Sequence, residues 1–219
     1  MRIVILAKKE KFGVQEAIEY SREKFGEVEV ISGDNGDEFP KRLYDEDFDM
    51  LISYISPWII PKSVLGRTKQ WNINFHPGPP EYPGIGCFNF ALYESAKEFG
   101  ATAHLMGQKV DTGRIIGVRR FPISSDETVL SLSLKTYSAQ YSLFIDTVDF
   151  ISSNNSLPAC SEDWKRKPTT RKELEDLATI KPVMAQEEIA KKIRATYYQG
   201  KPAPFIDIGG YRFEYNPKR

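Results

Sequence analysis

The sequence predicts an α/β protein: a mostly parallel, doubly wound sheet with a small C-terminal α+β appendage. Three observations predict it. Short apolar runs alternate with amphipathic stretches from Arg2 to Ser152. One run, Asp49 to Ile55, is almost continuously apolar, the mark of a strand covered on both faces. Beyond Ser152 the chain turns polar, at Ser153-Asn154-Asn155-Ser156, which separates a unit over 1–152 from a remainder over 153–219. Strands alternating with helices imply a sheet with helices on both faces. In such sheets ligands bind beyond the carboxyl ends of the strands.

The elements follow in order. Arg2 to Ala7 is a buried strand, ended by Lys8, Lys9 and Lys11 and too short for a signal peptide. Val14, Ala17, Ile18, Ser21 and Phe25 recur at helical spacing, which predicts an amphipathic helix over 14–25. Glu27 to Ser32 is a second strand, Asp49 to Ile55 a third, and Trp71 to His76 a fourth. Pro77 ends the fourth, because proline cannot donate to a ladder and keeps the preceding residue extended. The loop from Pro77 to Gly86 is too rich in proline and glycine to be helical. A helix is expected over Phe88 to Glu98, then strands at Ala101 to Met106 and Ile115 to Phe121. Ser124-Ser125-Asp126-Glu127 has the form of a capping box opening a long helix. Its apolar stripe is Leu130, Leu134, Tyr137, Tyr141, Phe144 and Val148, which is core packing rather than a cofactor box. The remainder carries Glu162-Asp163-Trp164, a helix over Gln186 to Tyr198 with Ile189, Ile193 and Tyr197 on one face, and a hairpin around Gly209-Gly210.

Composition narrows the function. The 219 residues are 41% hydrophobic, enough for the core of one enzyme-sized unit. Lys and Arg equal Asp and Glu at 30 each, so no excess of cations draws the chain to nucleic acid or to an acidic membrane. Cys87 and Cys160 stand far apart and in no metal-binding spacing, which fits a reducing cytoplasm rather than a disulfide framework. No run approaches the length of a membrane span.

The chemistry concentrates in Asn74-Phe75-His76, Gly100-Ala101-Thr102-Ala103-His104 and Val110-Asp111-Thr112-Gly113, which hold both histidines of the chain. An amide can hold an oxyanion, an imidazole can move a proton, and a carboxylate can orient and charge the imidazole. These are the groups needed for acyl transfer to an amine. Asn74 and His76 end one strand and Asp111 follows the strand through His104, so all three can reach one crevice. Taken singly, Asn74 and Asp111-Thr112-Gly113 are also ordinary turn residues. His104 has small or apolar neighbours and reads as a core or supporting histidine. Lys8, Lys9 and Lys11 read as a solvated charge run or as holders of an anionic substrate. The Pro/Gly loop lacks the lysine of a P-loop and the third glycine of a dinucleotide fingerprint. No metal-ligand set is present.

At these residues the sequence resembles the formyltetrahydrofolate-dependent formyltransferases, which act on glycinamide ribonucleotide, methionyl-tRNA or nucleotide-linked amino sugars. The resemblance covers about residues 1–150 and implies a Rossmann-like catalytic unit with Asn74, His76 and Asp111 as catalytic residues. Ser56-Pro57-Trp58-Ile59-Ile60-Pro61 matches the segment that lines the family's pterin pocket. The match assigns Trp58, Ile59 and Ile60, with His104 and Met106, to N10-formyltetrahydrofolate as co-substrate. Lys9, Pro80 and Tyr82 fall on the acceptor side.

Two departures bear on the acceptor. Pro77-Gly78-Pro79-Pro80 replaces the family's Ser-Leu-Leu-Pro, and Lys8-Lys9-Glu10-Lys11 replaces the purine enzyme's glycine-rich loop. The latter argues against a ribonucleotide acceptor. The remainder after the catalytic unit is short and not strongly basic, which argues against tRNA. Ile193 to Thr196, Pro204 to Ile206 and Gly210 to Phe213 resemble the amino-sugar enzymes. The expected partners are therefore folate and a nucleotide-linked amino sugar; a homodimer is allowed. A formyltetrahydrofolate hydrolase, another amine acceptor, and a non-catalytic folate- or sugar-nucleotide-binding module stay open.

Overall fold

The computed structural model describes residues 1–217. Six strands form one sheet: β1 (Ile3–Lys8), β2 (Val28–Gly33), β3 (Phe48–Tyr54), β4 (Thr68–His76), β5 (Glu98–Leu105) and β6 (Ile115–Pro122), in the order β2-β1-β3-β4-β5-β6. β2, β1, β3 and β4 pair in parallel, whereas β5 runs antiparallel to β4 and β6 to β5. The link over 106–114 explains the last reversal, since a parallel crossover needs about a dozen residues or more. The sheet is therefore mostly parallel, as expected, with one reversed strand.

Alternation along the strands gives the sheet two faces. Ile3, Ile5, Met50, Ile52, Ile73, Phe75, Ala101 and Ala103 pack against helices α1 (Val14–Phe25) and α4 (Val129–Asn154). Val4, Leu6 and Leu51 face the other way, toward the one-turn helix at Lys41–Tyr44 and helix α2 (Lys62–Leu65), with Trp58, Ile60 and Met106 beside them. Asn74, His76, Thr102 and His104 share this second face, because each alternates with a residue of the first.

The expected helix over 14–25 is found with the same ends. Two expectations fail in instructive ways. Helix α3 spans only Cys87–Tyr93, not Phe88 to Glu98. Ser95 enters the left-handed region at φ 56°, and Glu98 already belongs to β5. Helix α4 is capped not at Ser124, as the 124–127 box implies, but four residues later. Thr128 is the N-cap, and it exchanges hydrogen bonds with Ser131. Its apolar stripe is buried only in part: Tyr137, Phe144 and Val148 are buried as expected, whereas Leu130 and Leu134 are each 48% exposed. The side facing the sheet carries Leu132, Thr136, Gln140, Leu143, Phe144 and Thr147. Polar groups enter the core there because each is satisfied locally. Thr136 and Thr147 donate to the carbonyls of Leu132 and Leu143, each at 2.7 Å, and Gln140 Nε2 donates to the Phe75 carbonyl at 2.6 Å. A periodicity scored on apolar residues alone passes over them.

After α4, which continues past Ser152 to Asn154, come α5 (Arg171–Ala178), α6 (Gln186–Thr196) and the hairpin β7 (Phe205–Ile208) and β8 (Tyr211–Glu214), turned at Gly209-Gly210. Helix α6 packs on α3.

Phe144 is fully buried, its ring 5.0 Å from that of Tyr54 and 4.9 Å from that of Phe75. Phe144→Ala is expected to cost about 3–5 kcal/mol of folding stability, the usual penalty for emptying a closed aromatic site. Denaturant unfolding measures it; a loss near 1 kcal/mol contradicts the packing described.

Candidate active site

β4 ends at the carboxyl edge of the sheet with Asn74 and His76 on one face, and β5 brings His104 opposite Asn74. Asp111 does not come from the carboxyl end of a parallel strand, since β5 runs the other way. It is supplied by the loop over 106–114, which folds back over the sheet edge with Asp111 at φ 46°. A short polar side chain such as aspartate tolerates that conformation.

The buried Asp111 carboxylate is shared. Oδ2 lies 3.2 Å from His76 Nδ1 and accepts the Gly84 amide at 2.9 Å, while Oδ1 lies 3.2 Å from His104 Nε2. Burial pushes the Asp111 carboxyl up. The charge of His76, a hydrogen bond and charge from His104, and the Gly84 amide outweigh burial and hold it well below the usual carboxylate range. His76 Nε2 faces the Tyr82 carbonyl at 2.9 Å. Both nitrogens of His76 thus face oxygen acceptors, an arrangement that an imidazolium, with N–H on both, meets in full. His104 Nε2 also lies 3.0 Å from the Asn74 amide, and its Nδ1 meets the Leu105 carbonyl at 2.9 Å.

Neighbouring backbone explains the unusual loop. A Cβ on Gly78 would stand 2.6 Å from His76 Nε2, so no larger residue fits there. Gly84, at φ 88°, passes against the Thr169 backbone while aiming its N–H at Asp111. Cys87 lies nearby but is no nucleophile: burial pushes its thiol up to about 12.

A cavity of about 330 Å³ opens beside these groups, on the second face of the sheet. Asn74, His76, His104 and Asp111 line it together with Trp58, Ile59, Ile60 and Met106. All eight residues expected to act in catalysis or to hold folate therefore meet in one place. Ile55, also in the wall, has φ 53°, strain of roughly 1–3 kcal/mol for a residue outside its allowed regions. The Trp58 indole is fixed by donating to the Asp37 carbonyl at 2.9 Å. Apolar walls with a few convergent polar groups at one end suit a flat heterocycle whose reacting group points at those polar atoms. Among the described residues no cluster of three or more His, Cys, Asp or Glu is arranged to hold a metal ion, and no helix is long and apolar enough to cross a membrane.

The three residues assigned to the acceptor do not join them. Lys9 is exposed, 3.7 Å from Asp37. Pro80 is buried, and its carbonyl accepts the Lys165 amide at 2.9 Å. Tyr82 is packed inward: its hydroxyl donates to Glu94 at 3.0 Å, and its ring lies between Phe99 and the Arg166 guanidinium. A buried, hydrogen-bonded ring has no free face for a ligand.

Sequence reasoning missed Trp164. Its ring meets the rings of His104 and His76 edge-on, at 5.1 and 5.9 Å, and its Nε1–H donates to the Gly113 carbonyl at 2.8 Å. No spacing rule ties it to the motif, because the contact spans 51 residues.

The fold and site define a class: α/β proteins that gather polar groups at the carboxyl edge of a parallel sheet, beside an apolar cavity. The chain belongs to the formyl transferase family, whose model matches residues 35–148. It is 27% identical to a methionyl-tRNA formyltransferase of Pseudoalteromonas translucida (strain TAC 125), over 74% of this chain and 50% of that protein. The chain thus spans about half the length of the curated relatives it matches. Its fold is that of a sugar N-formyltransferase from Shewanella sp FDAARGOS_354, with TM-score 0.79, 16% identity, and 98% and 96% of the two chains covered. It also resembles HypX from Aquifex aeolicus, solved in complex with tetrahydrofolic acid, with TM-score 0.72, 19% identity, and 97% of this chain and 36% of that one covered.

A carboxylate with a depressed pKa contributes stability that is present above the ordinary carboxylate range and lost as the pH falls below it. Between neutral pH and about pH 3 the wild type is expected to lose more stability than Asp111→Asn, which has no such group to titrate. Unfolding by denaturant across that range is the measurement. Equal losses in the two proteins contradict the coupling.

Proposed function

We propose that the protein transfers the formyl group of N10-formyltetrahydrofolate to the amine of a nucleotide-linked amino deoxysugar. The observation that carries this reading is the buried Asp111 carboxylate shared by His76 and His104, next to Asn74, at one end of an apolar cavity. Family membership supports formyl transfer, and the tetrahydrofolic acid complex of a protein with the same fold supports folate as donor. The sugar acceptor is supported by a match to a sugar N-formyltransferase over nearly the full length of both chains.

In the proposed reaction Trp58, Ile59, Ile60 and Met106 hold the pterin, which brings the formyl carbon to Asn74 and His76. The acceptor amine attacks that carbon; the new C–N bond forms and the bond to N10 breaks. Asn74 offers an amide N–H to the developing oxyanion, an interaction worth roughly 3–4 kcal/mol in comparable sites. His76, turning Nε2 from the Tyr82 carbonyl, offers a second N–H and relays the proton lost by the amine toward N10. Asp111 stays ionised, holds both imidazoles in place and guides the proton through a water.

His76→Asn and Asp111→Asn are each expected to lower turnover by at least about 100-fold in folded protein, the low end for removing a positioned proton-transfer group. Near-normal turnover in folded His76→Asn overturns the assignment. Formate release without any acceptor, at the rate of formyl transfer, would make the protein a hydrolase instead. Trp58→Ala is expected to weaken binding of a folate analogue by about tenfold or more, the loss of roughly one buried aromatic contact. Unchanged affinity, measured by calorimetry, misplaces the pterin.

A further inference from the structure

The apolar cavity accounts for one side of His76 and His104. On another side both rings meet Trp164, at 5.9 and 5.1 Å and at interplanar angles of 72° and 83°. Trp164 does not line the cavity, so this contact lies away from the space assigned to folate. Its own side chain is half-buried, whereas His76, His104 and Asp111 are each at most 6% exposed. The indole is therefore the layer between that cluster and water on the side the cavity does not reach. Trp164 also lies beyond residues 35–148, the stretch the family model matches, so membership assigns it no role.

Trp164 is itself held from two directions. Its Nε1–H donates to the Gly113 carbonyl at 2.8 Å, and the amide of the next residue, Lys165, donates to the Pro80 carbonyl at 2.9 Å. The first bond reaches the 106–114 link, two residues past Asp111. The second reaches the Pro/Gly loop, which carries Gly84. At Gly113 a Cβ would collide with the Leu105 carbonyl, so the link lies hard against β5 where the indole ties it down. One side chain thus touches both imidazoles and fixes the chain that supplies the carboxylate they share. Edge-on contact sets the positive edge of one ring against the negative face of another, which orients the rings as well as packing them. The indole carries no charge, and its single N–H is already engaged, so it competes for none of the protons in the cluster.

We propose that Trp164 is a positioning residue for formyl transfer: it holds the His76 and His104 rings at the Asp111 carboxylate and keeps water from that cluster. It acts through the imidazoles and touches neither folate nor the acceptor. Sealing matters because the attraction between Asp111 and an imidazolium weakens as water enters and the local dielectric rises. Orientation matters because a small displacement of a proton-relaying group lowers the rate. The proposal rests on the formyl-transfer reading above and is independent of which amine accepts the group.

Trp164→Ala and Trp164→Phe, made in the full chain, test this. Trp164→Ala is expected to lower kcat by roughly 10- to 100-fold, as for a slight misplacement of a catalytic group. KM for formyltetrahydrofolate and for the amine should stay within about twofold, since no binding contact is lost. Trp164→Phe keeps a ring and should recover most of the rate. Added to Asp111→Asn, Trp164→Ala should cost less than about a further twofold, because groups that act as a unit are not additive. A second measurement needs no turnover. The chain has two histidines, so its imidazole N–H signals are theirs alone. Asp111 stays ionised, which leaves the proton between it and His76 on Nδ1. By proton NMR that downfield signal should be sharp in the wild type and in Trp164→Phe, and lost to exchange with water in Trp164→Ala. If Trp164→Ala does not fold, Trp164→Leu, which keeps apolar bulk without a ring, takes its place with the same expectations. An unchanged kcat, a loss carried by KM, a fully additive loss on Asp111→Asn, or an N–H signal that survives in the folded variant overturns the proposal. The formyl-transfer reading falls separately, if the wild type formylates no amine from formyltetrahydrofolate; the N–H signal then still tests whether Trp164 seals the cluster.

Discussion

One buried carboxylate holds the site together. Removing an ionised group from water costs several kcal/mol, so Asp111 is tolerated only because His76, His104 and the Gly84 amide all converge on it. Each partner comes from a different piece of chain: the end of β4, the end of β5 and the Pro/Gly loop. Asp111 itself belongs to a fourth piece, the 106–114 link. Displacing any of the four leaves a charge or a buried donor without its partner. The conformations that look unfavourable alone, Asp111 at φ 46° and Gly84 pressed on Thr169, are held by that mutual requirement.

The sheet does the rest of the positioning. Because side chains alternate, Ile73 and Phe75 can anchor β4 in the α4-facing core while Asn74 and His76 face the cavity. The same strand thus fixes a rigid base and presents the polar groups to the cavity. Fixing them on a strand rather than on a mobile loop limits their orientational freedom, and this favours preorganised polar groups over ones that must be ordered during reaction.

The chain beyond α4 is part of this construction rather than an independent attachment. Trp164 closes over both imidazoles from the side. Arg166 forms a paired contact with Glu94, at 2.7 and 2.8 Å, and covers Tyr82. The Thr169 hydroxyl and amide tie Pro83 and Ile85. Glu81 and Glu162 both meet Arg120, so the Pro/Gly loop, β6 and the later segment are joined through one guanidinium. The stiffness that proline lends to the 77–86 loop is therefore reinforced from outside. That outside packing is why Tyr82 points inward.

Local pattern determined much of this protein. Apolar runs located all six strands, helical spacing set α1 to the residue, and Gly209-Gly210 marked the hairpin turn. Asn74, His76 and Asp111 were legible because an amide, an imidazole and a carboxylate near strand ends and turns form a recognisable chemical set. Family resemblance put Trp58 to Ile60 beside them, and all three line the same cavity. Tertiary structure decided what depends on distant partners. The direction of β5 follows from its pairing, so Asp111 reaches the site by a folded-back link rather than a strand end. The buried face of α4 follows from hydroxyls and an amide satisfied by backbone carbonyls, which hydrophobicity does not register. Trp164 enters the site through a contact across 51 residues to Gly113, and Tyr82 leaves it beneath Arg166, which is held to Glu94 across 72 residues. Sequence encodes the periodicity and chemistry of each segment directly; which segments share a buried charge is settled only when all of them lose water together.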